Sequence, residues 1–333
     1  MDGHRSHPIG GAAAGLLSRA VAAAPFRPAP RAADRRRPPA RSRPLVLVFA
    51  AVGAVLLAVI AVDSWPQVYF DGLAYWRAGE RLLSGGPVYQ PGLVGTPLAY
   101  WYPPPLAQAL APFTAVIPEV VVNWVWIAVL MACLWWLVDG SLFRMLASLV
   151  FLPVAVELNV RNIHLMLAMM IVLGLTRRGW SWLLGVGAAI KIAPAVGIVY
   201  LAARGRWRDA AVGFATAAVI CGVSFALAPP LWSSWVSTML SNGGVSAGAS
   251  FLPIPYWARG AAGVLLAWWA GRQPERVGDP LAAIAVVVAL PTWWAPAFAT
   301  LLAAWKLRPR GAASAALPVR LPRAGPRPAV PPA

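Results

Sequence analysis

Residues 177–208 read RRGWSWLLGVGAAIKIAPAVGIVYLAARGRWR. The apolar part, Trp180–Ala203, has the length of one membrane-crossing helix, which needs about 20 residues. Yet Arg177 and Arg178 stand before it, and Arg204, Arg206 and Arg208 follow it. Arginine-rich flanks stay on the cytoplasmic side, and one straight span cannot leave both ends there. A hairpin of two half-helices, broken between Lys191 and Pro194, resolves the conflict. Such a break is tolerated at membrane depth only where the freed backbone is buried in protein or faces a water-filled cavity. The stretch therefore predicts a helical membrane protein with a lysine at an interior helix break.

The rest of the 333-residue chain agrees. It is 59% hydrophobic, well above an ordinary soluble domain. Of its net charge of +17, +7 lies in residues 1–43 and +6 in 306–333. Basic tails flanking apolar runs read as cytoplasmic anchors at the lipid bilayer, and nucleic acid is not an expected partner. Both tails, 1–43 and 307–333, are expected to be disordered. Cys133 and Cys221 lie in apolar runs and cannot build a disulfide framework or a CxxC metal site.

Pro44–Val62 is the first expected span, with the N-terminus inside. The longest polar interruption follows, at 63–105, and is extracytoplasmic on this reading. Within it, Gly72–Ser84 can form an interfacial helix, with Asp71 as a candidate N-cap. Gly85, Gly86 and Pro87 end that helix. Leu106–Ile117 is too short to span and reads as a second surface helix. Glu119–Val138 spans inward, Met145–Leu158 outward, and Leu165–Thr176 inward again. Ala210–Ala228 spans outward to an uncharged outer loop, Pro229–Pro255. Tyr256–Gly271 returns, and Leu281–Trp305, holding Pro291 and Pro296, reads as a second broken hairpin. The fold class is all-α and polytopic, with about 8–10 spanning or half-spanning helices.

The outer loop crowds aromatic residues, among them Tyr75, Trp76, Tyr89, Tyr100 and Tyr102, around Asp71, Arg77, Glu80 and Arg81. Such residues commonly form an interfacial belt. Few ionisable groups face outward or lie at membrane depth, among them Glu157, Arg161, His164, Lys191 and Arg259, and intramembrane charges are functional candidates. No carboxylate cluster for a divalent metal stands out, and neither a metal nor another cofactor is expected.

Asp71 with Tyr75, Gly86-Pro87-Val88-Tyr89 and Tyr102-Pro103-Pro104 resembles the first outer loop of glycosyltransferase family 87. Gly187-Ala-Ala-Ile-Lys191-Ile-Ala-Pro194, followed by Arg204-Gly-Arg206-Trp207, is similar to that family's Lys-x-x-Pro and Arg-Arg-Trp pattern. Pro291-Thr-Trp293 is similar to its late Pro-x-Trp turn. Arg161-Asn162-Ile163-His164 stands where the family often has Gly-Gln-x-Asn, so Arg161 replaces a glycine and His164 an asparagine. Gly248-x-Ser250 stands where Asn-x-Ser would be expected. The likeness covers roughly residues 44–306.

The resemblance implies a C-type (GT-C) membrane fold and inverting transfer of a mannosyl or related sugar. The donor would be a polyprenyl-phosphate sugar and the acceptor a hydroxyl of a cell-envelope glycolipid or glycan, met on the extracytoplasmic face. A lipid phosphate leaves as a stable anion, so no general acid is required, and one carboxylate suffices to take the acceptor's proton. Asp71 is the implied base. Lys191 and Arg161 are candidates to meet the phosphate. Asn162, His164, Tyr75, Tyr102, Glu80 and Ser250 are candidate substrate contacts. A transporter or flippase for a lipid-linked or small polar substrate remains the rival, because broken helices and buried charges also suit that role. A non-catalytic membrane scaffold is a third reading.

Overall fold

The computed structural model describes residues 43–63, 70–94, 96, 98–242 and 254–309. The tail expectations and Ser250 lie outside these residues. Among those described, every regular element is helical. Helix α1, Arg43–Asp63, covers the expected first span. Helices α4 (Glu119–Leu137) and α10 (Trp207–Leu227) are each long and apolar enough to cross a membrane.

Helix α2, Phe70–Leu83, opens before Asp71, which therefore lies in its first turn and not at its N-cap. The helix stops where the glycines predict. Gly85 takes φ +72, and Gly86 N–H reaches back to the Arg81 carbonyl at 2.7 Å, the closing bond of a Schellman motif. Helix α3, Pro104–Thr114, packs against α2. The loop aromatics are no interfacial belt. Tyr75, Trp76, Tyr89, Tyr100 and Tyr102 are all buried, and the four tyrosines, together with Val88 and Leu106, form much of a small core. Tyr89 and Tyr100 tie the loop down through bonds to the Tyr102 and Pro103 carbonyls, at 2.8 and 3.1 Å.

Two further stretches differ from expectation. Met145–Leu158 is not one straight helix: α5 (Leu142–Ser148) and α6 (Leu152–Val160) meet at a bend of 88°, the geometry of a broken span or a re-entrant loop. Pro153 begins the new helix, where its missing N–H costs nothing. The uncharged stretch after α10 is not all loop, because Pro229–Ser241 forms α11. Pro229 and Pro230 occupy its first turn for the same reason.

Helix α7, His164–Thr176, leads to the opening stretch. That stretch folds as α8, Trp182–Ile190, and α9, Ala195–Ala203. A Cβ on Gly187 would sit 3.2 Å from Pro194, and one on Gly197 would sit 3.0 Å from Leu184. Residues pairing outward from the break in this way make α8 and α9 an antiparallel hairpin. Its open ends close together: Arg206 bonds the Leu175 carbonyl, and Gly179 N–H donates to Asp209 at 3.1 Å. Helix α10 lies against the hairpin at glycine contacts, where a Cβ on Gly185 would stand only 2.3 Å from the Gly213 carbonyl oxygen.

Helices α12 (Tyr256–Ala270) and α13 (Glu275–Val288) precede a 3-10 turn, Ala295–Thr300, and α14, Leu301–Leu307. Helices α13 and α14 pack on one another, as the second hairpin requires. Buried Arg259 caps its apex, donating to the Leu290 and Pro291 carbonyls at 3.0 and 2.5 Å. Those carbonyls lie just past the end of α13, where a cation is favoured.

Candidate active site

Three breaks in the helices place the candidate residues: the start of α2, the junction of α6 with α7, and the tip of the α8–α9 hairpin. At the junction Arg161 turns left-handed, with φ +58. Only glycine adopts that conformation without cost, so the glycine that the resemblance led one to expect here has a physical reason. The turn sends Asn162 back toward α2. Asn162 Nδ2 donates to Asp71 Oδ2 at 2.8 Å. Its Oδ1 accepts from Ile163 N–H at 2.7 Å. The same oxygen lies 3.2 Å from the Tyr75 hydroxyl and 3.1 Å from that of Tyr102, while the two hydroxyls are 2.7 Å apart. Asn162 is thus a bracket that aims Asp71, and one Nδ2 proton is left over from these bonds.

A second chain of contacts starts at the hairpin tip. Lys191 Nζ lies 2.7 Å from His164 Nε2 and 3.4 Å from the Tyr102 hydroxyl, and 5.1 Å from the Tyr102 ring centre. His164 Nδ1 lies 3.0 Å from Glu157 Oε2. Glu157 Oε1 accepts from Leu165 N–H at 3.2 Å. Tyr102 joins the two chains, so one polar run extends from Glu157 through His164, Lys191, Tyr102 and Asn162 to Asp71. Glu157 and His164 are fully buried and Lys191 nearly so; Asp71 is partly exposed.

Burial pushes the Asp71 carboxyl up from 3.8 to about 6, against the opposing pull of the Lys191 charge and the Asn162 hydrogen bond. A carboxylate with that value is ionised at neutral pH, yet basic enough to accept a proton from a positioned hydroxyl.

The other predicted residues are placed differently. Arg161 is buried, its Nε donating to Asn123 Oδ1 at 3.0 Å and Nη1 to the Leu158 and Asn159 carbonyls at the end of α6. Glu80 bonds Trp76 at 3.0 Å and Arg77 at 2.7 Å, apart from the polar run. Glu157 is the member that sequence reading did not place in the site. Its signal was an acid at membrane depth, but its partner His164 lies across a helix boundary.

A family model, described as glycosyltransferase family 87, matches residues 100–321. No curated protein and no solved structure matches the chain. The matched span includes Tyr102, Glu157, Asn162, His164 and Lys191 and begins after Asp71 and Tyr75. An all-helical chain with membrane-length apolar helices, and a polar run built largely from the matched segment, fit that result: the protein belongs to glycosyltransferase family 87 and is a membrane glycosyltransferase.

Proposed function

We propose that this glycosyltransferase moves a mannosyl or related hexosyl or pentosyl unit from a polyprenyl-phosphate donor to a hydroxyl of a cell-envelope glycolipid or glycan. Transfer occurs with inversion, on the extracytoplasmic face. The observation that carries the proposal is the Asp71 carboxylate, aimed by Asn162 and standing within the field of the Lys191 ammonium. A base and a cation joined through Asn162 and Tyr102 match the two charges that develop in the reaction. Asp71 takes the acceptor's proton as its oxygen attacks the anomeric carbon. The bond from that carbon to the phosphate oxygen breaks on the opposite side, and its electron pair leaves with the phosphate. Lys191 meets the added negative charge. Asn162 holds the base, and Tyr75 and Tyr102 hold Asn162. Family membership favours transfer over transport.

The topology belongs to the same proposal. Residues 44–306 form a GT-C-like catalytic domain, with the 63–105 loop outside and the basic tails, 1–43 and 307–333, in the cytoplasm. The open ends of the α8–α9 hairpin, rich in arginine, support that orientation.

The test is a membrane assay with labelled polyprenyl-phosphate-mannose and an envelope extract as acceptor source. Wild-type membranes should form a labelled product and Asp71→Asn membranes, at equal expression, should not. Full activity in Asp71→Asn would remove the base, and transport of the intact donor without transfer would favour the flippase.

A further inference from the structure

We infer that Glu157 is a positioning residue: acting through His164, it holds the Lys191 ammonium where the leaving phosphate is received. This rests on the proposed phosphate role of Lys191. An ammonium has three N–H groups and no lone pair, so at 2.7 Å His164 Nε2 must accept from it. Nδ1 then carries the imidazole proton and donates it to Glu157 Oε2, 3.0 Å away. The remaining carboxylate oxygen is engaged by Leu165 N–H in the first turn of α7, where the helix dipole also favours a negative charge. Every member of the row has its proton assigned by its neighbour, and the row ends on one cation at the hairpin tip. Burial of all three groups makes a mismatched proton costly.

Glu157→Gln separates positioning from simple packing. Its amide oxygen can still accept from Leu165 N–H, so the cap on α7 is kept. Its NH₂ then faces His164 Nδ1 and drives the imidazole proton to Nε2. Two donors would meet across the His164–Lys191 contact, and Lys191 would be displaced or lose its proton.

The experiment measures binding of undecaprenyl phosphate, a probe for the polyprenyl phosphate that would leave whatever the sugar, to purified full-length protein in detergent, with undecaprenol as the neutral control. Wild type should prefer the phosphate, and Lys191→Met should abolish the preference. Glu157→Gln should weaken phosphate binding by roughly 10- to 100-fold, the worth of one charge-assisted hydrogen bond, and leave undecaprenol unchanged. The double variant should be no weaker than Lys191→Met alone. Equal loss of both ligands in Glu157→Gln, or losses that add in the double variant, would overturn the positioning role. If Lys191→Met keeps the phosphate preference, the phosphate reading itself is what fails. Should Glu157→Gln not fold, His164→Gln carries the same cycle, because it offers Lys191 an amide oxygen but has no second ring nitrogen for Glu157.

Discussion

Replacing Asp71 by Asn should destroy activity and stabilise the fold, and the two effects have one cause. The Asp71 carboxyl is lifted from 3.8 to about 6 by burial. At 1.36 kcal/mol for each tenfold change in proton affinity, holding the carboxylate ionised in the folded state costs roughly 3 kcal/mol at pH 8. The sign follows from linkage. A raised folded-state pKa means the folded protein binds the proton more tightly than the unfolded chain does. Its stabilising contribution is fully present below 3.8 and is lost as pH rises through about 6. Asn is neutral throughout, and its oxygen can still accept from Asn162 Nδ2, so the bracket survives. Asp71→Asn should therefore raise the melting temperature in detergent at pH 8 by up to roughly 6 °C. The gain should shrink to about half at pH 5. Transfer should fall by roughly 10²–10⁴-fold, the usual worth of a positioned base. The assays are thermal unfolding at the two pH values and the labelled-donor reaction. A lower melting temperature at pH 8, or a gain independent of pH, would falsify the argument that a partly buried charge is being held against its preference.

Three further outcomes are expected. The acid limb of the pH–rate profile should fall near 6, with activity lost as pH drops and Asp71 takes up its proton; a limb near 4 would mean an unperturbed carboxylate. Gly185→Ala should destabilise by about 1–3 kcal/mol, since its Cβ would stand 2.3 Å from the Gly213 carbonyl oxygen, whereas Gly222→Ala, with open space around it, should unfold no lower than wild type. In a Cys133→Ala, Cys221→Ala background, a cysteine at Gly92 should react with an impermeant thiol reagent on intact cells and one at Ala203 should not; labelling at Ala203 would sink the proposed orientation.

The hairpin was legible because its evidence is local: arginines on both flanks and a proline after Lys191 leave a straight span no consistent orientation. The end of α2 was legible for the same reason, since Gly85 and Gly86 carry the turn by themselves. The bend between α5 and α6 was harder to read. Pro153 is a helix starter as readily as a helix breaker, and an apolar run of 14 residues shows no periodicity that separates one tilted span from two short helices. The burial of the loop tyrosines was also hidden, because an interfacial belt and a packed aromatic core have the same composition. Asp71 and Lys191 stood out as charged residues in an apolar chain. Asn162 could be listed as a candidate contact, but its work is to hold Asp71 from 91 positions away, and no spacing rule reaches that far.

These long-range contacts share a cause. A continuous helix satisfies its own backbone and leaves little polar capacity to spare at membrane depth. Chemistry needs polar side chains there, and the chain supplies them where helices stop. Arg161 ends α6 in a left-handed turn and bonds the carbonyls that the turn exposes. The next residues, Asn162 and His164, point toward Asp71 and Lys191. Lys191 itself follows the last residue of α8. On this account Arg161 supports the site by closing a helix end, bonding Asn123 and backbone oxygens. Under the proposed reaction the charge that receives the phosphate is that of Lys191, and the inferred role of Glu157, two contacts away, is to hold it there.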